Sequence, residues 1–197
     1  MKKIVFITLF SMFTLGAALA QSNTVVSYSI GFPTADLSDF IEKTSWRGIS
    51  FDYRKMVNPN LGVGVNFSWN TFYEEKGTAT YTYDNISLTG KQYRYSNNFP
   101  MLATAAYFLK PDEDLNPFVG LGIGTMYTKR NTDMNLYTLE QEAWNFVLQP
   151  EVGVQFAANP EMALHLSLKY NYGFPAGNEL TSAQSYISLN VGFAFRN

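Results

Sequence analysis

The chain has 197 residues, a formal charge of −2 and no cysteine. The acidic balance speaks against a nucleic-acid partner, and the missing cysteines exclude a fold stapled by disulfides. Sixteen Phe and thirteen Tyr are many for this length, so the fold must shelter a large aromatic surface.

Residues 1–20 read as a secretory signal peptide. Met1-Lys2-Lys3 gives a positive start, an apolar run follows from Ile4 to Leu15, and Ala18-Leu19-Ala20 forms the cleavage pattern. The expected mature domain is 21–197, beginning at Gln21. Position 21 is not cysteine, so no lipoprotein anchor is expected. No later run reaches the roughly 20 apolar residues of a helical span.

From there the sequence alternates with a period of two, the signature of strands with one apolar and one small or polar face. The first strand sets Val26, Tyr28, Ile30 and Phe32 against Ser27, Ser29 and Gly31. A helical spacing of Leu37, Phe40 and Ile41 follows, a candidate lid over one mouth of the fold. The second strand carries Ile49, Phe51 and Tyr53; the third runs "LGVGVNFSWN" from Leu61 to Asn70 without a slip. The fourth, around Tyr93 to Leu109, is apolar or small on both faces. The fifth sets Val119, Leu121 and Ile123 against Gly120, Gly122 and Gly124. The sixth carries Phe146, Leu148, Val152 and Phe156, the seventh Leu164, Leu166, Leu168, Tyr170 and Tyr172, and the eighth Ile187, Val191, Phe193 and Phe195. Each is about the 9–11 residues that a tilted transmembrane strand requires. Short turns at 56–60, 110–116 and 157–160 alternate with long segments at 33–45, 73–92, 129–142 and 173–184. The pattern predicts an all-β fold, an eight-stranded antiparallel up-and-down transmembrane β-barrel.

Volume decides which face meets oil. The interior of an eight-stranded barrel is only just wide enough for side chains. The bulky residues of every strand cannot share it, so they face outward, and a continuous apolar band of that size is tolerable only in hydrocarbon. Aromatics mark the strand ends as interfacial girdles. Trp69, Phe72, Tyr73, Tyr127, Trp144, Tyr170 and Tyr172 are assigned to the long-loop rim, and Phe118, Phe156, Phe193 and Phe195 to the short-turn rim.

With these features the chain resembles the small eight-stranded outer-membrane barrels of the OmpA-, OmpX- and OmpW-like type, in particular the barrel-only outer membrane protein beta-barrel domain. Its last strand, "YISLNVGFAF", resembles the closing strand such families present to the barrel-insertion machinery, with Val191, Phe193 and Phe195 carrying the pattern. It departs from it by ending on Arg196-Asn197. The resemblance implies a bacterial outer-membrane protein of the Gram-negative envelope.

The lumen face collects Asp52, Arg54, Glu151, His165 and Lys169, expected to form a self-satisfied polar network rather than an ion path. His165 with Ser167 is the only nucleophile–base pairing available, and it points into the lumen, so no catalytic activity, cofactor or metal is expected. The long loops are acidic and hold the remaining capacity for recognition. Tyr81, Tyr83, Tyr93 and Tyr95 lie on a candidate hairpin above the membrane. The sequence therefore points to a monomeric barrel embedded in the outer-membrane bilayer, with a structural or surface-interaction role. A narrow channel for small or hydrophobic solutes is the alternative, and a soluble lipocalin-like periplasmic carrier the third reading.

Overall fold

The computed structural model describes residues 21–83, 86–134, 137–176 and 180–197, the side chains of residues 81, 83, 86 and 88 excepted. The signal-peptide assignment lies outside these residues, as do Asp84, Glu179 and the side chains of Tyr81 and Tyr83. Eight strands close into one barrel in sequence order: β1 (Ser22–Thr34), β2 (Gly48–Met56), β3 (Leu61–Tyr83), β4 (Ile86–Phe108), β5 (Leu115–Met134), β6 (Tyr137–Asn159), β7 (Met162–Gly173) and β8 (Gln184–Arg196). Every neighbouring pair is antiparallel, and β1 closes on β8 from Asn23↔Arg196 to Thr34↔Ser185. Closure leaves no edge in the spanning wall, which hydrocarbon demands because it offers backbone groups no partner.

The short turns are built by asparagine. Asn58 Oδ1 accepts the N–H groups of Asn60 (2.9 Å) and Leu61 (2.8 Å). Asn159 Oδ1 does the same for Glu161 (3.0 Å) and Met162 (2.7 Å). Each side chain stands in for a backbone turn and reverses the chain within a few residues.

The alternation read from the sequence sets the faces. On β7, Leu164, Leu166 and Leu168 are exposed on the outer wall, while Ala163, His165, Ser167 and Lys169 are buried in the lumen. On β4, which the sequence left open, Leu102, Thr104, Ala106 and Phe108 point inward and Tyr107 outward. Small inward residues allow the strong coiling of a narrow barrel. A Cβ on Gly64 would lie 1.7 Å from the carbonyl oxygen of Tyr53, and one on Gly192 2.0 Å from that of Val26, so these strands approach more closely than any side chain permits.

Two features differ from the sequence reading. Strands β3, β4, β5 and β6 are not spans of about ten residues but run for 23, 23, 20 and 23 residues. Residues 73–83, 86–92, 129–134 and 137–142 of the long segments are thus continuations of the sheet, the first two in keeping with the candidate hairpin. Phe72 and Phe118, assigned to the girdles, are buried in the lumen at 0% and 1% exposure. Each fills space that a glycine leaves open. The Phe72 ring reaches Gly31 and the Phe118 ring reaches Gly153, with an ideal Cβ on either glycine only 2.7 and 2.6 Å away.

Candidate functional site

The lumen is filled in layers. At the short-turn end, Phe108 and Phe118 pack together with ring centroids 5.3 Å apart, joined by Ala106 and Met56. Directly above lies the charged cluster. Arg54 on β2 donates through Nη2 to Asp52 Oδ1 (3.0 Å) and, across the lumen, to Glu151 Oε2 on β6. Lys169 on β7 donates to Asp52 Oδ2 (2.7 Å) and Ser50 Oγ (3.1 Å), and its Nζ lies 3.8 Å from Glu151 Oε1. Two carboxylates thus face two cations, all of them buried. Their mutual attraction offsets a desolvation cost that would otherwise be several kcal/mol per ion, of order 5.

His165 joins from below. Its Nε2 lies 3.1 Å from Ser167 Oγ and 4.0 Å from Glu151 Oε1, its Nδ1 lies 3.5 Å from Gln155 Nε2, and its ring stacks on Phe118 at 5.4 Å. The structure therefore brings Asp52, Arg54, Glu151, His165 and Lys169 into one contiguous group. Ser50, Asn66 and Gln155 belong to it too: Asn66 Nδ2 donates to Ser50 Oγ (3.0 Å), and Ser50 Oγ to Asp52 (3.3 Å). These uncharged members were not singled out in the sequence, although their parity with Asp52 and Glu151 was the available signal.

The mouth at the long-segment end is closed by apolar side chains. After β1 the chain turns inward as a single-turn helix, α1 (Ala35–Phe40), entered through Ala35 at φ 47°. Leu37 and Ile41 are fully buried against Phe72, Leu102, Met126, Val147 and Tyr186. The lid suggested by the spacing of Leu37, Phe40 and Ile41 is a plug seated within the mouth. Phe40 lies between two guanidinium groups, Arg130 at 4.5 Å and Arg94 at 5.2 Å from its ring centre. Burial pushes the Arg130 guanidinium down to about 10, with Asp36 opposing the shift and Arg94 adding to it. Glu74 on β3 holds the far end of the segment by accepting the Glu42 N–H (2.8 Å) and pairing with Lys76 (2.9 Å). Burial works to raise the Glu74 carboxyl, but these hydrogen bonds prevail and hold it below the usual carboxylate range.

On the outer wall the aromatic residues touch in sequence. Trp69 stacks on Phe99 (5.6 Å), Phe99 meets Tyr127 (6.3 Å), and Tyr127 meets Trp144 (5.2 Å). A second run joins Phe146 to Phe174 (5.6 Å), Phe174 to Tyr172 (4.8 Å) and Tyr172 to Tyr170 (6.2 Å). Phe193 and Phe195 stand exposed near the opposite rim. Above the belt, β3 to β6 continue as a four-stranded sheet. Pairing with β2 ends at Gly48↔Asn70, and pairing with β7 ends at Val147↔Gly173. Beyond those rungs, neither outer edge of this sheet has a neighbouring strand among the described residues. Its outward face is tied by ion pairs of Lys91 with Glu75 (2.5 Å) and of Lys129 with Glu140 and Glu142.

A closed antiparallel barrel with an apolar outer wall, a polar interior, short turns at one end and an aromatic belt near the other is the build of an outer-membrane barrel protein. The chain belongs to the outer membrane protein beta-barrel domain family, which it matches over residues 5–195, and its place is the bacterial outer membrane. No curated protein matches it by sequence. Among solved structures it is similar to a major outer membrane protein of Thermus thermophilus (TM-score 0.59, 15% identity, 91% of this chain and 100% of that one). It is also similar to Ail, the attachment invasion locus protein of Yersinia pestis, in complex with the heparin analogue sucrose octasulfate (0.56, 16%, 90% and 99%). A third is OprG of Pseudomonas aeruginosa (0.55, 11%, 90% and 96%). At these identities the likeness speaks for the fold.

Proposed function

We propose that this protein is a non-conducting, non-catalytic outer-membrane scaffold that presents its extracellular sheet for surface recognition. The observation that carries the reading is the four-stranded sheet that β3 to β6 extend beyond the barrel, whose two outer edges have no neighbouring strand among the described residues. An open edge offers a row of backbone donors and acceptors to an extended partner segment, which docks by adding a strand. Charges on or next to these edges (Glu74, Glu75, Glu140, Glu142) and the irregularity between Lys76 and Ala79 discourage indiscriminate pairing.

The filling of the lumen supports the first half of the reading. An apolar plug closes the mouth, and the charged cluster with the Phe108–Phe118 pair fills the space below. His165 and Ser167, the pairing suited to covalent lipid chemistry, are both buried away from the bilayer. That Ail has a complex with a heparin analogue supports a ligand-binding role for a barrel of this build. The channel reading finds no such support, since the mouth is sealed by Leu37 and Ile41. We further propose that the barrel acts as a monomer and that β8 engages the insertion machinery.

Two measurements test the proposal. The purified protein in planar bilayers is expected to pass no steady current. Cells displaying a variant in which residues 77–91 are replaced by an Asn-Gly turn should lose attachment to protein-coated surfaces while the shortened barrel stays folded. Stable conductance steps, or unchanged attachment, would contradict it.

A further inference from the structure

Strand β2 stops at Gly48, whereas its neighbour β3 runs on to Tyr83. The resulting step leaves two clefts on the outer wall, of about 430 and 460 Å³, which share Arg47 and Thr71. The lower cleft is walled by Ile49 and Trp69, the upper by Lys43, Trp46 and Tyr73.

Register fixes their height. Ile49 pairs with Trp69, a member of the aromatic belt, and the Thr71 N–H bonds the Arg47 carbonyl at 2.9 Å. Arg47 therefore stands one rung above the belt, where hydrocarbon gives way to headgroups. The segment bearing the cations is pinned in place: Ser45 Oγ donates to the Thr71 carbonyl (2.6 Å), and the Tyr28 hydroxyl donates to the Trp46 carbonyl.

Lys43 and Arg47 are both exposed. The nearby carboxylates are already engaged, Glu42 and Glu74 by Lys76 and Glu75 by Lys91, and among the described residues none forms an ion pair with Lys43 or Arg47.

We propose that this step is a docking site for a phosphorylated, acylated lipid of the outer leaflet. An acyl chain lies along Ile49 and Trp69, and the headgroup phosphate is held by Arg47, whose planar fork matches two phosphate oxygens, with Lys43 as a second charge. The groove opens on the membrane wall, and it sets an apolar surface directly beneath unpaired cations, an order that fits an amphiphile with an anionic head. A free anion would use only the upper half.

Native mass spectrometry of the full barrel in neutral detergent tests this, with bisphosphorylated lipid A, the same glycolipid stripped of phosphate, and inorganic phosphate as probes. The phosphorylated lipid should be retained at least about tenfold more strongly than the stripped form, a ratio measured directly from adduct titrations. The double variant Lys43→Ala/Arg47→Ala should bring the two within about twofold. Lys129→Ala, which removes a cation elsewhere on the outward face of the sheet, should leave the preference intact. Equal retention of both lipids by the unaltered barrel, an unchanged preference in the double variant, or displacement of the lipid by inorganic phosphate at equal concentration overturns the proposal.

Discussion

Arg54→Met is expected to destabilise the barrel by about 3–5 kcal/mol, the usual cost of removing one partner from a buried ion pair. The guanidinium bridges β2 and β6 through Asp52 and Glu151, and it lies 5.5 Å from the Phe118 ring. Without it, two carboxylates share a closed space with Lys169 as the remaining cation in contact. Methionine keeps much of the volume, so the loss reports charge rather than a cavity. Urea unfolding in detergent, followed by the shift between folded and unfolded gel mobility, reads the change. The double variant Arg54→Met/Glu151→Gln restores the charge balance and should recover part of the loss. Strict additivity would mean that the two side chains do not interact.

Leu166→Arg should cost about 2–4 kcal/mol, the penalty for a cation near the bilayer midplane on the lipid face of a barrel. Leu166 sits midway along β7, between Val154 and Val191 on its neighbours, and all three belong to the apolar outer wall. The same substitution at Tyr137, at the far end of the extracellular sheet and 61% exposed, should be nearly silent. The contrast separates a depth effect from a general intolerance of charge. It is measured by refolding into vesicles, with the two variants compared side by side.

The architecture was legible because closure in lipid imposes a period of two, and every strand from Val26 to Phe195 except the fourth displays it in sequence. The resemblance to small outer-membrane barrels added the family and the compartment. The inward aromatics were misassigned where composition outweighed parity. Phe72 shares its parity with Asn66 and Asn70, and Phe118 with Gly120 and Gly122, so alternation alone would have sent both into the lumen. What no local pattern reveals is which glycine receives each ring. Gly153 is the cross-strand partner of Phe118 on the next strand, and Gly31 lies across β2 from Phe72, so both contacts are set by strand register rather than by any pattern within one strand. The extended hairpins were obscured for a different reason. Above the bilayer both faces of a strand meet water or a partner, so 73–83 and 129–134 lose the apolar contrast that marks a span and read as loops. The charged cluster was visible by parity, but its connectivity was not, because Arg54 and Glu151 are separated by three intervening strands along the chain.

Single spin labels placed in turn from Ala163 to Tyr170 provide the most direct measurement. With bulky side chains against lipid and a packed polar interior, oxygen accessibility should be high at 164, 166, 168 and 170 and low at 163, 165, 167 and 169. A uniform profile, or one with the two sets exchanged, would contradict the account.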